Sequence, residues 1–270
     1  MKALSPRLIS IPVLIVVFLT AVICFGQDTA EQILAKGVEY AADGKFQEGK
    51  EEFEKALKVD PLYGSAKRYL KLIAEVDEGK IKTNAAIRYF KGVTYGEKGQ
   101  LDQAIADFTK AIEIDSKFAM PYGGRAYAFF LKAQYDQGIA DCTKAIEIDP
   151  ELAMAYINRG IAYADKGQYG QAISDFSKAI ELNPRDALAY INRGYAYAHK
   201  GQYDQAVSDY TKAIEINPRY ALAYGNRGIS YFFKKEYEKA WDDVHKAQSL
   251  GHQVHPGFLN ELREASARER

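Results

Sequence analysis

The chain has 270 residues, 47% of them apolar, with 36 basic and 36 acidic side chains and no net charge. That is ample material for a packed core, and the balance excludes a general pull toward nucleic acid or anionic lipid. Of the two cysteines, Cys24 lies in an apolar leader, so Cys142 has no internal disulfide partner in a processed chain and packing must hold the fold.

Residues 1–26 read MKALSPRLISIPVLIVVFLTAVICFG. Lys2 and Arg7 form a positive start, residues 8–23 are almost wholly apolar, and Cys24 and Gly26 place small side chains where a signal peptidase inspects them. The reading is a signal peptide cut after Gly26. The run is also just long enough to span a bilayer, so a retained signal anchor is the alternative. Both put the chain from about residue 27 outside the cytoplasm, periplasmic or secreted, with membrane contact only through this segment.

Beyond the leader the hexapeptide AYINRG stands at 155–160 and again at 189–194, with AYGNRG at 223–228. The spacing is 34 residues both times, and a fixed period of that size marks stacked repeats. With Gly160 as position 8, units run 85–118, 119–152, 153–186, 187–220 and 221–254, and an earlier unit fits 30–63. Position 8 is always small (Gly37, Gly92, Ala126, Gly160, Gly194, Gly228) and position 11 always aromatic, from Tyr40 to Tyr231. Positions 4, 8 and 11 share one helical stripe and positions 20, 24 and 27 another, so each unit is expected to be two antiparallel helices meeting through small residues. Gly99, Gly167 and Gly201 mark the turn inside a unit, while Asp149-Pro150, Asn183-Pro184 and Asn217-Pro218 end its second helix. Such helices are marginal alone and need neighbouring units for burial.

Residues 64–84 break the register. Tyr69, Leu70, Leu72 and Ile73 predict a lone helix that closes the first unit, followed by a connector; an incomplete repeat is the competing reading. The organisation is therefore 27–84 as a single repeat plus helix and connector, 85–254 as five repeats, and 255–270 as a polar-faced capping helix carrying Phe258, Leu259 and Leu262.

These recurring positions closely resemble the tetratricopeptide repeat, over about residues 30–254 apart from the insert. The resemblance implies an all-α fold, a right-handed superhelical solenoid of helix-turn-helix repeats. The departures are tyrosine in place of the usual tryptophan at position 4 (Tyr122, Tyr156, Tyr190, Tyr224), Arg88 at that position in unit 85–118, and His252 in place of the last proline. The resemblance further implies that positions 2, 5, 6, 9, 12 and 13 of each first helix face a concave groove. Position 6 is Asn158, Asn192 and Asn226, three amides able to donate to and accept from an extended peptide backbone. Similar asparagine ladders line the groove of O-linked N-acetylglucosamine transferases; the plainer reading is solvated helix face. Around them Phe130, Ile157, Ile161, Ile191, Tyr195, Ile229, Phe232 and Phe233 fall at groove positions and suit side-chain anchors of a partner, or contact between successive first helices. The lysine and arginine clamp of chaperone-binding relatives is replaced by Met154, Leu188, Leu222 and the asparagines, which disfavours a chaperone-tail receptor.

Position 7 repeats as Arg125, Arg159, Arg193 and Arg227, each with an aspartate at position 23: Asp141, Asp175, Asp209 and Asp243. Lys91 recurs with Asp107 in the same way. Position 7 lies on the packing stripe, so structural ion pairs are expected rather than ligand contacts. Cys142, where other units carry Phe108, Phe176 or Tyr210, reads as a small core residue. No phosphate-cradling loop, nucleophile elbow or paired-cysteine motif occurs, so no cofactor, metal or catalytic residue is assigned and the chain is read as no enzyme. The expected function is an exported protein–protein interaction module that binds an extended peptide or partner protein in its groove. A membrane-anchored scaffold that self-associates is the alternative, and an enzyme or metal site at His245, His252 and His255 the remote one.

Overall fold

The computed structural model describes residues 29–61 and 63–268; the leader reading lies outside them. The described residues form helices α1 (Ala30–Ala42), α2 (Phe46–Val59), α3 (Gly64–Asp77), α4 (Thr83–Glu97), α5 (Leu101–Ile114), α6 (Ala119–Leu131) and α7 (Tyr135–Ile148). They continue as α8 (Ala153–Asp165), α9 (Tyr169–Leu182), α10 (Ala187–His199), α11 (Tyr203–Ile216), α12 (Ala221–Phe233), α13 (Tyr237–Ser249) and α14 (Pro256–Arg268), with no strand among the described residues. Two compact units, 29–158 and 159–268, divide them, and α8 contributes residues to both.

In the unit 29–158, α1 opens on a capping box. The Thr29 hydroxyl accepts from the Gln32 amide at 3.2 Å, and the Gln32 side chain accepts from the Thr29 amide at 2.8 Å. Helices α1 and α2, α4 and α5, and α6 and α7 pack as consecutive pairs joined by short turns. The inserted α3 packs on α2, yet α1 packs on α4 directly, so the insertion leaves the first pair joined to the second. Rings close this seam: Tyr69 of α3 lies 5.3 Å from Phe53 of α2 and 5.4 Å from Phe90 of α4.

In the unit 159–268, α9 packs on α10, and α10 with α11 and α12 with α13 repeat the pairing. A Cβ on Gly194 would stand 2.9 Å from a Tyr210 ring carbon, which is why position 8 stays small where position 24 is aromatic. The last pair is covered by α14, whose Phe258 and Leu262 join Val244 of α13 in a buried cluster. The Trp241 indole N–H also donates to the Ser266 hydroxyl at 3.3 Å, tying α13 to this helix.

Each turn within a pair needs one residue in the left-handed region. Gly99 (φ 72°), Gly167 (73°) and Gly201 (73°) supply it, but the equivalent residues Ala133 (58°) and Lys235 (63°) adopt it too, where the sequence shows no glycine to announce it. Between pairs, the side chains of Asn183 and Asn217 accept from the amides of Arg185 and Arg219 at 3.3 and 3.0 Å, bending the chain toward the next helix.

Candidate functional site

The arginines at position 7 bind inward. Arg125 donates from Nε and Nη2 to Asp141 at 2.7 and 2.8 Å, and its Nη1 reaches the Thr109 hydroxyl on the preceding second helix at 3.0 Å. Arg159 grips Asp175 through two bonds of 2.8 Å. Arg193 holds Asp209 at 2.8 and 2.7 Å and Ser177 at 3.1 Å; Arg227 holds Asp243 at 2.8 Å twice and Thr211 at 2.9 Å. The fork matches a carboxylate edge as a lysine would not. Hydrogen bonding to the aspartates holds Arg125, Arg193 and Arg227 protonated, above the usual arginine value. Stacked rings complete the lodging: the Arg193 guanidinium lies 5.7 Å from the Tyr190 ring and 5.9 Å from Tyr197.

The unit 85–118 differs from the sequence expectation. Asp107 is bonded by Arg88 of position 4 at 2.8 Å, so the arginine in the usual tryptophan place takes over the role expected of Lys91. In the earliest repeat the same pair of positions is Lys36 and Glu52, 3.2 Å apart. The hydroxyl at position 25 was not singled out by sequence reasoning; its recurrence as Thr109, Ser177 and Thr211 beside each arginine is the signal that would have found it.

The residues expected to face a ligand divide by burial. Asn158 and Asn192 are 9% and 8% exposed, and Asn226 is half-buried. Their side-chain amides make no hydrogen bond to any described residue. Ile157, Ile191 and Phe130 are buried, so they cannot serve as open anchors: large apolar side chains on adjoining helices lose water by packing on one another. Ile161, Tyr195, Ile229, Phe232 and Phe233 are half-buried, and at position 2 Met154 and Leu188 are exposed. A cavity of about 20 Å³, room for one water, is lined by Tyr195, Ala198, Tyr203, Tyr210, Asn226, Ile229, Ser230 and Phe233. Burial, with Tyr169 and Asp165 nearby, pushes the Tyr195 hydroxyl up to about 12, so it is a neutral donor at physiological pH.

The C-terminal histidines have separate occupations. His245 stacks on Trp241 at 5.5 Å, His252 lies against Gly225, and His255 Nδ1 accepts from the Gly257 amide at 3.1 Å. Among the described residues no cluster of three or more histidine, cysteine or acidic side chains is placed to hold a metal, and no described helix is long and apolar enough to cross a membrane.

Profiles described as "Tetratricopeptide repeat" match residues 33–61, 85–118, 121–152, 142–174, 187–220 and 209–242, and one described as "TPR repeat" matches 160–201. No curated protein gives a significant match. Among solved structures, one of MamA is 27% identical with a TM-score of 0.55, covering 59% of this chain and 94% of its own. YrrB, described as a TPR protein with an unusual peptide-binding site, is 26% identical with a TM-score of 0.53, covering 66% and 90%. A MamA structure from Desulfovibrio magneticus RS-1 is 18% identical with a TM-score of 0.57, covering 62% and 95%, a likeness of fold alone. With helix pairs at a 34-residue period and family matches from 33 to 242, the chain belongs to the tetratricopeptide repeat family and is a protein–protein interaction scaffold.

Proposed function

We propose that this scaffold is exported and holds an extended peptide, or an extended segment of a partner protein, against the first helices of its repeats. The observation that carries the reading is the asparagine at position 6: Asn158, Asn192 and Asn226 each offer an amide that no described residue uses. A primary amide can donate to one backbone carbonyl and accept from one backbone N–H, whatever side chains the ligand carries. Leu188, Tyr195, Ile229 and Phe233 add partly exposed apolar surface on the helices that carry Asn192 and Asn226, where Ile191 is buried. Likeness to YrrB, described as having a peptide-binding site, supports the same choice of ligand. The chain acts by holding, not by chemistry.

Partners captured from the native host by the wild type and by the triple variant Asn158→Ala, Asn192→Ala, Asn226→Ala test the reading. Loss of a partner with the helical content retained supports it; unchanged partners and affinity overturn it. Export is tested by N-terminal sequencing of the cell-envelope or secreted fraction. A first residue of Gln27 supports a cleaved leader, and an intact leader in a membrane pellet supports the tethered, self-associating scaffold instead.

A further inference from the structure

His199 stands at position 13 of its repeat, in the last turn of α10. Its ring is stacked on Tyr169 of α9 at 4.7 Å and 16°, and lies 4.3 Å from Tyr195 at 57°. The next repeat places Phe233 at this position, stacked on Tyr203 at 4.9 Å and 7°. The next seam thus holds a hydrocarbon ring where this one holds an ionisable ring, while the earlier repeats carry Ala42, Glu97, Leu131 and Asp165 at this position. His199 Nε2 is the one side-chain nitrogen or oxygen among the described residues that is both shut off from solvent and without a hydrogen-bond partner.

We infer that His199 makes the α9–α10 seam acid-sensitive: protonation of a ring packed between two tyrosines loosens the contact between these helices. The charged groups around it offer little compensation. Asp165 at the end of α8 raises Tyr169 and Tyr195, whereas burial is the cause that lowers the imidazole, with no carboxylate bonded to it. Tyr203 and Tyr210 of α11 stay neutral, since burial raises both, and α12 brings Asn226, Ile229, Ser230 and Phe233, none ionisable. Burial holds the imidazole below its usual 6.5. A base with a lowered folded pKa gives its full stabilisation above pH 6.5 and loses it as pH falls from there toward the folded value.

Two measurements on the full chain test this. In a titration followed by histidine NMR, His199 is expected to be less than half protonated at pH 6.5; a midpoint at or above 6.5 overturns the inference. His199→Phe, which copies the neighbouring seam, is expected to fold and to lose less of its melting temperature between pH 7.5 and pH 5.5, by about 2–4 °C, than the wild type. Equal losses in both proteins overturn it as well. His252, also held low by burial, is present in both and cancels from the difference.

Discussion

Gly160 and Phe176 touch so closely that a Cβ on the glycine would stand 2.7 Å from the phenylalanine Cε1. Gly160→Ala must therefore push a fully packed ring, and is expected to lower stability by about 1–3 kcal/mol in urea unfolding. The repeat 119–152 solves the same problem in reverse: Cys142 replaces the ring and Ala126 replaces the glycine, both wholly buried. Cys142→Phe alone is expected to destabilise by a similar amount. Adding Ala126→Gly should restore most of the loss, and a double-mutant cycle showing no coupling would refute this pairing of positions.

Arg193→Lys keeps the charge but loses the planar fork on Asp209 and the bond to Ser177. With Asp209 5% exposed, the cost is expected to be roughly 2 kcal/mol, read as a shift of the urea midpoint. Arg193→Ala, which strands the carboxylate, should cost more, about 3–5 kcal/mol. A smaller effect for alanine than for lysine would show that the pair contributes nothing.

Ala133 and Lys235 carry a positive φ without being glycine. Side chains there clash with the following carbonyl, so Ala133→Gly and Lys235→Gly are each expected to stabilise the chain by about 1 kcal/mol, seen as a higher melting temperature. The same substitution at a residue of negative φ, such as Ala128 within α6, should instead destabilise by about that much.

Leu262 is fully buried under the last helix pair. Leu262→Ala is expected to cost about 2–4 kcal/mol and to expose the α13 amides to hydrogen exchange before those of α4 and α5. Uniform exchange along the chain would contradict a local role for α14.

The sequence was most legible where a residue recurs. Position 8 and position 11 fixed the helix pairs, and Arg193 with Asp209 could be matched before any contact was known, because helical geometry turns spacing into direction. The ladder position of Asn192 was legible too; its low exposure was not, since burial depends on how adjoining helices crowd a shared face. Arg88 shows the limit most clearly. Positions 4 and 7 share one stripe, so the pattern alone does not say which meets Asp107, and it is Arg88 that takes the bond. His199 has no signal in the repeat pattern, because its stacking on Tyr169 joins residues from separate copies of the motif.

The hydroxyl that Arg193 borrows from Ser177, and Arg227 from Thr211, belongs to the copy before it. The block 187–220 therefore carries a hook on its front, Arg193, and an eye on its back, Thr211, so a tandem duplication of these residues would arrive with its fitting already machined. At the final block the eye is missing: His245 stands there, turned onto Trp241, and α14 covers that face through Phe258 and Leu262 instead.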